Sequence, residues 1–402
     1  MGTSSRADLR LRLDTATAGI DAPLAAVDLE AWEANAADLT RRAEGVPIRV
    51  ASKSVRNRTL LRDVLSRPGY RGVLALTLAE AIWLVSTDVS DDVVVGYPST
   101  DRSSLARLAG DPELATAVTV TIDDIAQLDL IDAVAPPDGR SDIRVCLELD
   151  CSWRPLGRFR IGAKRSPLHE PADLARLAHT VATRKGFTLV GVLAYESQIA
   201  GVPDAPPGRW FRGRTVRLMQ DRSAAELRRR RIAAVEAVRQ EADLEFVNGG
   251  GTGSIERTAA DPAITEVAAG SGLLAPRLFD GYTSFTPRPA AFFAVPVVRR
   301  PGRGVVTVAG GGYIASGAAG DDRLPIPWVP EGLALDPDEG AGEAQTPLLG
   351  AVADTLAIGD RVWFRHAKAG ELAERFDTFY LVRGERLAGS TATYRGDGKC
   401  FL

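Results

Sequence analysis

Lysine is almost missing from a chain that is otherwise well charged. Of its 49 basic residues only Lys53, Lys164, Lys185, Lys368 and Lys399 are lysines. Cysteine and histidine are equally scarce, at three each. An odd number of cysteines without a CxxC spacing (Cys146, Cys151, Cys400) argues against a disulfide framework or a cysteine zinc site, and fits a reducing compartment. No apolar run approaches the roughly 18 residues that cross a bilayer. The opening MGTSSRADLRLRLDTATAG lacks the apolar core of a signal peptide. A net charge of −3 gives no reason to invoke nucleic acid or an anionic membrane as partner. These absences together predict a cytoplasmic protein. What is present, 45% apolar and 25% charged residues, is the composition of an ordinary globular chain.

From about residue 24 to 272 short apolar runs alternate with helical stretches. Leu24 to Leu29 reads as a strand, followed by a helix in LEAWEANAADLTRRAEG, with Asp28 as N-cap and Trp32, Ala36 and Leu39 on one face. Eight more strands follow: IRVAS (48–52), GVLALT (72–77), DVVVGYP (92–98), AVTVTI (117–122), IRVCLELD (143–150), TLVGVLAY (188–195), LEFVNGG (244–250) and TEVAAG (265–270). Such continuous apolar runs suit a parallel sheet buried on both faces. Eight strand–helix units predict an α/β fold, with a closed (β/α)8 barrel of TIM type preferred over an open sheet. Residues 197–215, rich in Gly, Pro and Arg, read as a long loop. Beyond about residue 285 the pattern changes to short strands broken by Gly and Pro: AAFFAVPVVRRP, GVVTVAGGGYIASG, DRVWFRHAKAG and FDTFYLVRG. This predicts a mainly antiparallel β domain, with 320–350 as a connection inside it. The expected division is a barrel over 20–285 and a β domain over 286–402 joined by residues 1–19.

Lys53 directly follows the first of the eight strands. In a barrel that places it at the C-terminal mouth, where active sites form. A lysine amine can attack a carbonyl, which an arginine cannot do. The seventh strand runs into Asn248-Gly249-Gly250-Gly251-Thr252-Gly253-Ser254 and the eighth into Gly270-Ser271-Gly272. Glycines admit an anion close to the backbone, and N–H and hydroxyl groups then bind it; barrels often place phosphate after strands seven and eight. An amine nucleophile beside a phosphate cradle is what pyridoxal phosphate requires.

The motifs VASKSVRN, LAYESQIAG, FVNGGGTGS, TEVAAGSGL, RHAKAGEL and TYRGDG, with PLAAVDLEAWEANAADL and the helix containing Glu80-Ala81, resemble those of the fold-type III pyridoxal phosphate enzymes. The likeness is to their D-threonine aldolase and D-serine dehydratase branch (bacterial amino acid deaminase/aldolase), built on the alanine racemase barrel. It implies Lys53 as the Schiff-base lysine and Tyr195 as a cofactor contact. It also implies that Gly250, Gly251, Thr252, Gly253 and Ser254, with Ser271 and Gly272, hold the phosphate. An Arg-x-Gly normally follows the fifth strand near the cofactor; Arg154, Arg158 and Arg160 compete for that role, and Arg160-Ile161-Gly162 reproduces the spacing. The resemblance further implies a homodimer.

The chain departs from that branch at His366-Ala367-Lys368, where the family holds a divalent metal with His-x-Asp or His-x-Cys. His366 is the one candidate ligand, and a lysine ammonium has no lone pair to offer a cation. Two readings follow: Lys368 supplies the positive charge itself, or Glu371 or a more distant carboxylate completes a rearranged site. No metal is expected in the family's usual form, and His366 and Lys368 are expected to act on the substrate. The implied function is a lyase on β-hydroxy D-amino acids, an aldolase or a dehydratase working through Lys53. The alternatives are an amino acid racemase or epimerase with the His366/Lys368 region as second acid/base, and a non-catalytic pyridoxal phosphate carrier, which the additional β domain argues against.

Overall fold

The computed structural model describes residues 3–157, 159–206 and 210–401. Its first strand, β1 (Leu24–Asp28), is wholly buried. Asp28 ends that strand and caps the next helix, Leu29–Arg42, by accepting from the amides of Glu30 and Ala31. Trp32, Ala36 and Leu39 form the buried face of this helix, as its spacing predicts.

Eight parallel strands then close into a barrel: β2 (Ile48–Ala51), β3 (Tyr70–Ala75), β4 (Val93–Val95), β5 (Val118–Ile122), β6 (Ile143–Glu148), β7 (Phe187–Ala194), β8 (Phe246–Gly249) and β9 (Glu266–Ala269). β2 pairs with β9, Ile48 opposite Val267, which shuts the ring. Val, Ile and Leu dominate these strands because helices cover the outside and side chains fill the inside. At the floor the buried Arg49 is held by Glu266 at 2.6 Å and Asp92 at 2.7 Å. A cavity of about 420 Å³ opens there, where Arg49 pairs with Asp92 and Arg144 with Glu245.

The second layer is a sheet of nine strands. It comprises β1 together with β10 (Ala291–Gly302), β11 (Val305–Ala309), β12 (Ile326–Val329), β13 (Ala334–Leu335), β14 (Gln345–Leu349), β15 (Arg361–Arg365), β16 (Thr378–Arg383) and β17 (Arg386–Ala392). Most pairings are antiparallel, but β1 lies parallel to β16 and antiparallel to β10. The first strand of the chain therefore belongs to the sheet, while the helix it caps packs on the barrel. A helix at Thr3–Ala16 lies against this sheet, with Leu9, Leu13 and Ala16 facing Phe292, Trp363 and Val382.

Two segments differ from their sequence reading. Residues 320–350 contain β12, β13 and β14, because backbone pairing to β15 and β11 overrides weak local propensity. Of the expected loop over 197–215, Ser197–Ala200 and the residues from Trp210 onward are helical, the second helix running to Arg239, and 207–209 lie outside the described residues. Gly213, which breaks the helical pattern, sits where a side chain would press on the Asp204 carbonyl, at 2.7 Å.

Candidate active site

Lys53 lies in a single 3-10 turn, Ser52–Ser54, at the C-terminal end of β2. Its Nζ donates to the Tyr97 hydroxyl at 2.7 Å. Tyr97 stands just beyond the end of β4, so two strand ends deliver the pair to the barrel mouth. Burial pushes the Tyr97 phenol up, yet the Lys53 charge and hydrogen bond, with Arg165, outweigh it and lower its pKa. The Arg165 guanidinium lies 5.3 Å from the Tyr97 ring and 5.9 Å from that of Tyr195. Glu148, the last residue of β6, is buried near this group; desolvation raises its carboxyl to about 7 against the pull of Arg165. Tyr195 shows 36% of its surface, but its phenol is enclosed, and desolvation lifts it to about 12.

This row leads from Lys53 across the mouth to the glycine turns. A Cβ on Gly251 would stand 3.4 Å from the Tyr195 ring and 3.1 Å from Ala200 Cβ, and one on Gly253 would overlap the Ala200 carbonyl oxygen. Thr252 joins the two turns: its Oγ1 accepts from the Gly272 amide at 3.1 Å and from Ser271 Oγ at 3.3 Å. The amides of Thr252, Gly253 and Ser271 make no hydrogen bond to any described residue, so three donors stand together with no internal acceptor. Gly250 and Ser254 are held differently. The Gly250 amide (3.1 Å) and Ser254 Oγ (3.0 Å) donate to Glu196, as does Thr258. Glu196 is in turn paired with the buried Arg231 at 3.0 Å, which also holds Asp261 at 2.9 Å. The second turn reaches the lysine, since a Cβ on Gly270 would lie 2.6 Å from the Ala51 carbonyl and 3.0 Å from Ser54 Cβ.

The sheet supplies the other wall. β15 ends at Arg365, and the loop beyond it carries His366, Lys368 and Gly370 onto the Lys53 turn. Gly370 has φ +85°, and a Cβ there would overlap the Lys53 carbonyl oxygen. Lys53, His366 and Lys368 line one cavity of about 490 Å³, with Arg56, Tyr313, Ser316, Glu371 and Arg375. His366 is buried; its Nδ1 lies 3.2 Å from the Ala291 carbonyl, while Nε2 has no partner among the described residues. Desolvation, with the Arg365 charge beside it, holds it neutral down to about pH 3. Lys368 Nζ donates to Ser316 Oγ at 2.8 Å and faces Glu371 at 3.4 Å. Among the described residues no three His, Cys, Asp or Glu side chains converge as a metal set would require.

Arg154 and Arg160 both pair with Asp150, at 2.6 and 3.1 Å, and Arg158 lies outside the described residues. Arg165, which the spacing does not single out, approaches the tyrosines instead. Tyr97 and Glu148 also escape a search for motifs. Their signal is positional, because both end barrel strands just as Lys53 does.

A closed parallel barrel with a lysine and two glycine turns at its mouth, walled by an antiparallel sheet, defines the architecture of fold-type III pyridoxal phosphate enzymes. The chain belongs to the family described as alanine racemase, N-terminal domain, whose model matches residues 27–276. It is 26% identical over 255 residues to a 3-hydroxy-D-aspartate aldolase of Paracoccus denitrificans (strain Pd 1222), a match covering 63% of this chain and 60% of that relative's length. Its fold is similar to the crystal structure of D-threonine aldolase from Filomicrobium marinum: TM-score 0.78, 21% identity, 95% of this chain and 96% of that one. It is likewise similar to D-threo-3-hydroxyaspartate dehydratase from Delftia sp. HT23, at TM-score 0.71 and 20% identity over 93% and 97% of the two chains. A form of such a dehydratase with one cysteine replaced by alanine is metal-free.

Proposed function

We propose that the protein is a pyridoxal phosphate-dependent lyase on β-hydroxy D-amino acids. The observation that carries this reading is the shared cavity of Lys53, His366 and Lys368, opposite the uncommitted amides of Thr252, Gly253 and Ser271. Those amides, with Ser271 and Gly272 around Thr252, fit a phosphate; Gly250 and Ser254 support the turn from behind through Glu196. Tyr195 flanks the glycine turn, and Lys53 is the amine for the cofactor's aldehyde. When bound, the cofactor supplies an electron sink for a bond broken at the substrate's α-carbon.

The chain's own groups have definable tasks. Tyr97 fixes the Lys53 amine by its hydrogen bond and offers an acceptor for its proton. Arg165 supplies positive charge between the two tyrosines, which favours their ionised forms. Neutral His366 can accept a hydrogen bond at Nε2 from a substrate hydroxyl. Arg375, which lines the cavity above the Tyr313 ring, is suited to a substrate carboxylate. The names of the relatives, two of them acting on 3-hydroxyaspartate, support the β-hydroxy class. A homodimer in the cytoplasm, with the partner closing the mouth, belongs to the same proposal; sedimentation velocity at micromolar concentration is expected to give a dimer.

The deciding experiment incubates the purified, cofactor-loaded protein with D-threonine, D-serine, 3-hydroxy-D-aspartate and both alanine enantiomers. Glycine plus an aldehyde, or a keto acid plus ammonia, is the expected result. Inversion of alanine would identify a racemase instead. The wild type is expected to be yellow and Lys53→Ala colourless. A wild type that takes up no pyridoxal phosphate overturns the reading.

A further inference from the structure

The wall built by β15 and its following loop contains a fixed cation in a family where a relative has a separable metal. Resting on the lyase reading above, we infer that the Lys368 ammonium replaces the metal ion and binds the substrate's β-oxygen. Four observations carry this. Lys368 and His366 line the same cavity as Lys53, so a substrate held at Lys53 shares one space with both. The buried His366 Nε2 has no partner among the described residues, on a side chain that lines that cavity. The Lys368 side chain is 40% exposed, and Ser316 Oγ at 2.8 Å and the Glu371 carboxylate at 3.4 Å restrain its tip. Finally, Glu371 is itself taken up by Ser316, through both the amide at 2.7 Å and the hydroxyl, and so is not free to complete a metal site.

A cation brought to His366 would meet one neutral imidazole and a positive ammonium two residues along. The other carboxylate lining the cavity, Glu374, is paired with Arg56 at 2.6 Å, and among the described residues no three His, Cys, Asp or Glu side chains converge to offset the dehydration of a divalent ion. With the ammonium present, the geometry instead provides a donor and an acceptor in one wall. Lys368 donates to the β-oxygen, and His366 accepts from the β-hydroxyl hydrogen. As charge develops on the β-oxygen the ammonium lies where it stabilises it, without changing its own protonation. The role is binding and electrostatic; no bond to Lys368 forms or breaks.

The test uses three preparations of the full-length, cofactor-loaded protein: wild type, Lys368→Ala and Lys368→Asp. Wild type is expected to contain less than one-tenth equivalent of metal by plasma mass spectrometry. It should keep its turnover after prolonged chelation and show no heat on titration with Mn2+. Lys368→Ala should keep the cofactor's visible spectrum while losing at least 100-fold in kcat/KM. Lys368→Asp, which removes the ammonium and places a carboxylate two residues from His366, should gain a Mn2+ site detectable by calorimetry. Stoichiometric Mn2+ binding by the wild type, loss of turnover on chelation, a Lys368→Ala variant within threefold of wild type, or no Mn2+ uptake by Lys368→Asp would each overturn the inference. The calorimetry needs no turnover, so a protein inactive on every β-hydroxy D-amino acid would defeat the lyase reading while still reporting on the metal.

Discussion

Two buried groups at the site titrate in opposite directions, and their opposition sets how stability depends on pH. His366 is neutral in the folded protein down to about pH 3, against 6.5 in an open chain. Between those values the unfolded chain binds the extra proton, so stability falls as the pH drops. Glu148 behaves inversely. Its folded pKa of about 7 lies above the ordinary 4.5, so its contribution is complete below 4.5 and is lost as the pH rises through 7. Each unit of displacement corresponds to about 1.4 kcal/mol, a size visible in urea denaturation. Urea midpoints of the cofactor-free protein from pH 4 to 8 are expected to show His366→Asn flattening the acid side. Glu148→Gln should raise stability above pH 7. Identical profiles for all three proteins would remove the assignment of these groups. Lys53 was legible in the sequence because lysine is rare and the residue ends a strand. Tyr97, Glu148 and Arg165 were not, since a tyrosine or glutamate at a strand end matches no motif, and Arg165 reaches the site only through the path of its loop.

The glycine turns and the loop after β15 act as rigid supports for these residues. The turn after β8 is anchored from behind: Glu196 takes the Gly250 amide, Ser254 and Thr258, and Arg231 neutralises it in a fully buried pair. Removing one partner of such a pair leaves a buried charge, at a cost of about 3–5 kcal/mol. Arg231→Met is therefore expected to lower thermal stability sharply. Glu196→Gln keeps most of the shape and leaves Arg231 paired with Asp261, so it should chiefly weaken pyridoxal phosphate retention, read as a raised Kd by absorbance titration. The loop after β15 meets Lys53 backbone to backbone at Gly370, where φ +85° and the absence of a Cβ are both required. The glycine-rich turns after the seventh and eighth strands were readable as close-packed turns at the barrel mouth. Which amides remain free in them was not, because Glu196 comes from a different strand end.

At the scale of the whole molecule the site exists only because barrel and sheet are interwoven. β1, among the first residues of the chain, is completed by β10 and β16 from its far end. The Lys53 loop is tied to the sheet side by Arg56–Glu374 at 2.6 Å and by the Tyr394 amide on the Arg56 carbonyl at 2.9 Å. A fragment ending at residue 285 would leave β1 without either neighbour and expose its apolar faces. Such a fragment is expected to lose near-UV circular dichroism and to aggregate; a soluble, cooperatively folding fragment would show the barrel to be self-sufficient.

The sequence by itself determined the eight barrel strands, the change to β structure near residue 285 and the lysine at the mouth. Each follows from local rules: apolar runs, turn residues, and the rarity of one side chain. Only the tertiary structure decided that β1 belongs to the sheet, that β strands run through 320–350, and that His366 and Lys368 meet Lys53 around one cavity. These depend on pairings between residues hundreds of positions apart, which local patterning does not encode.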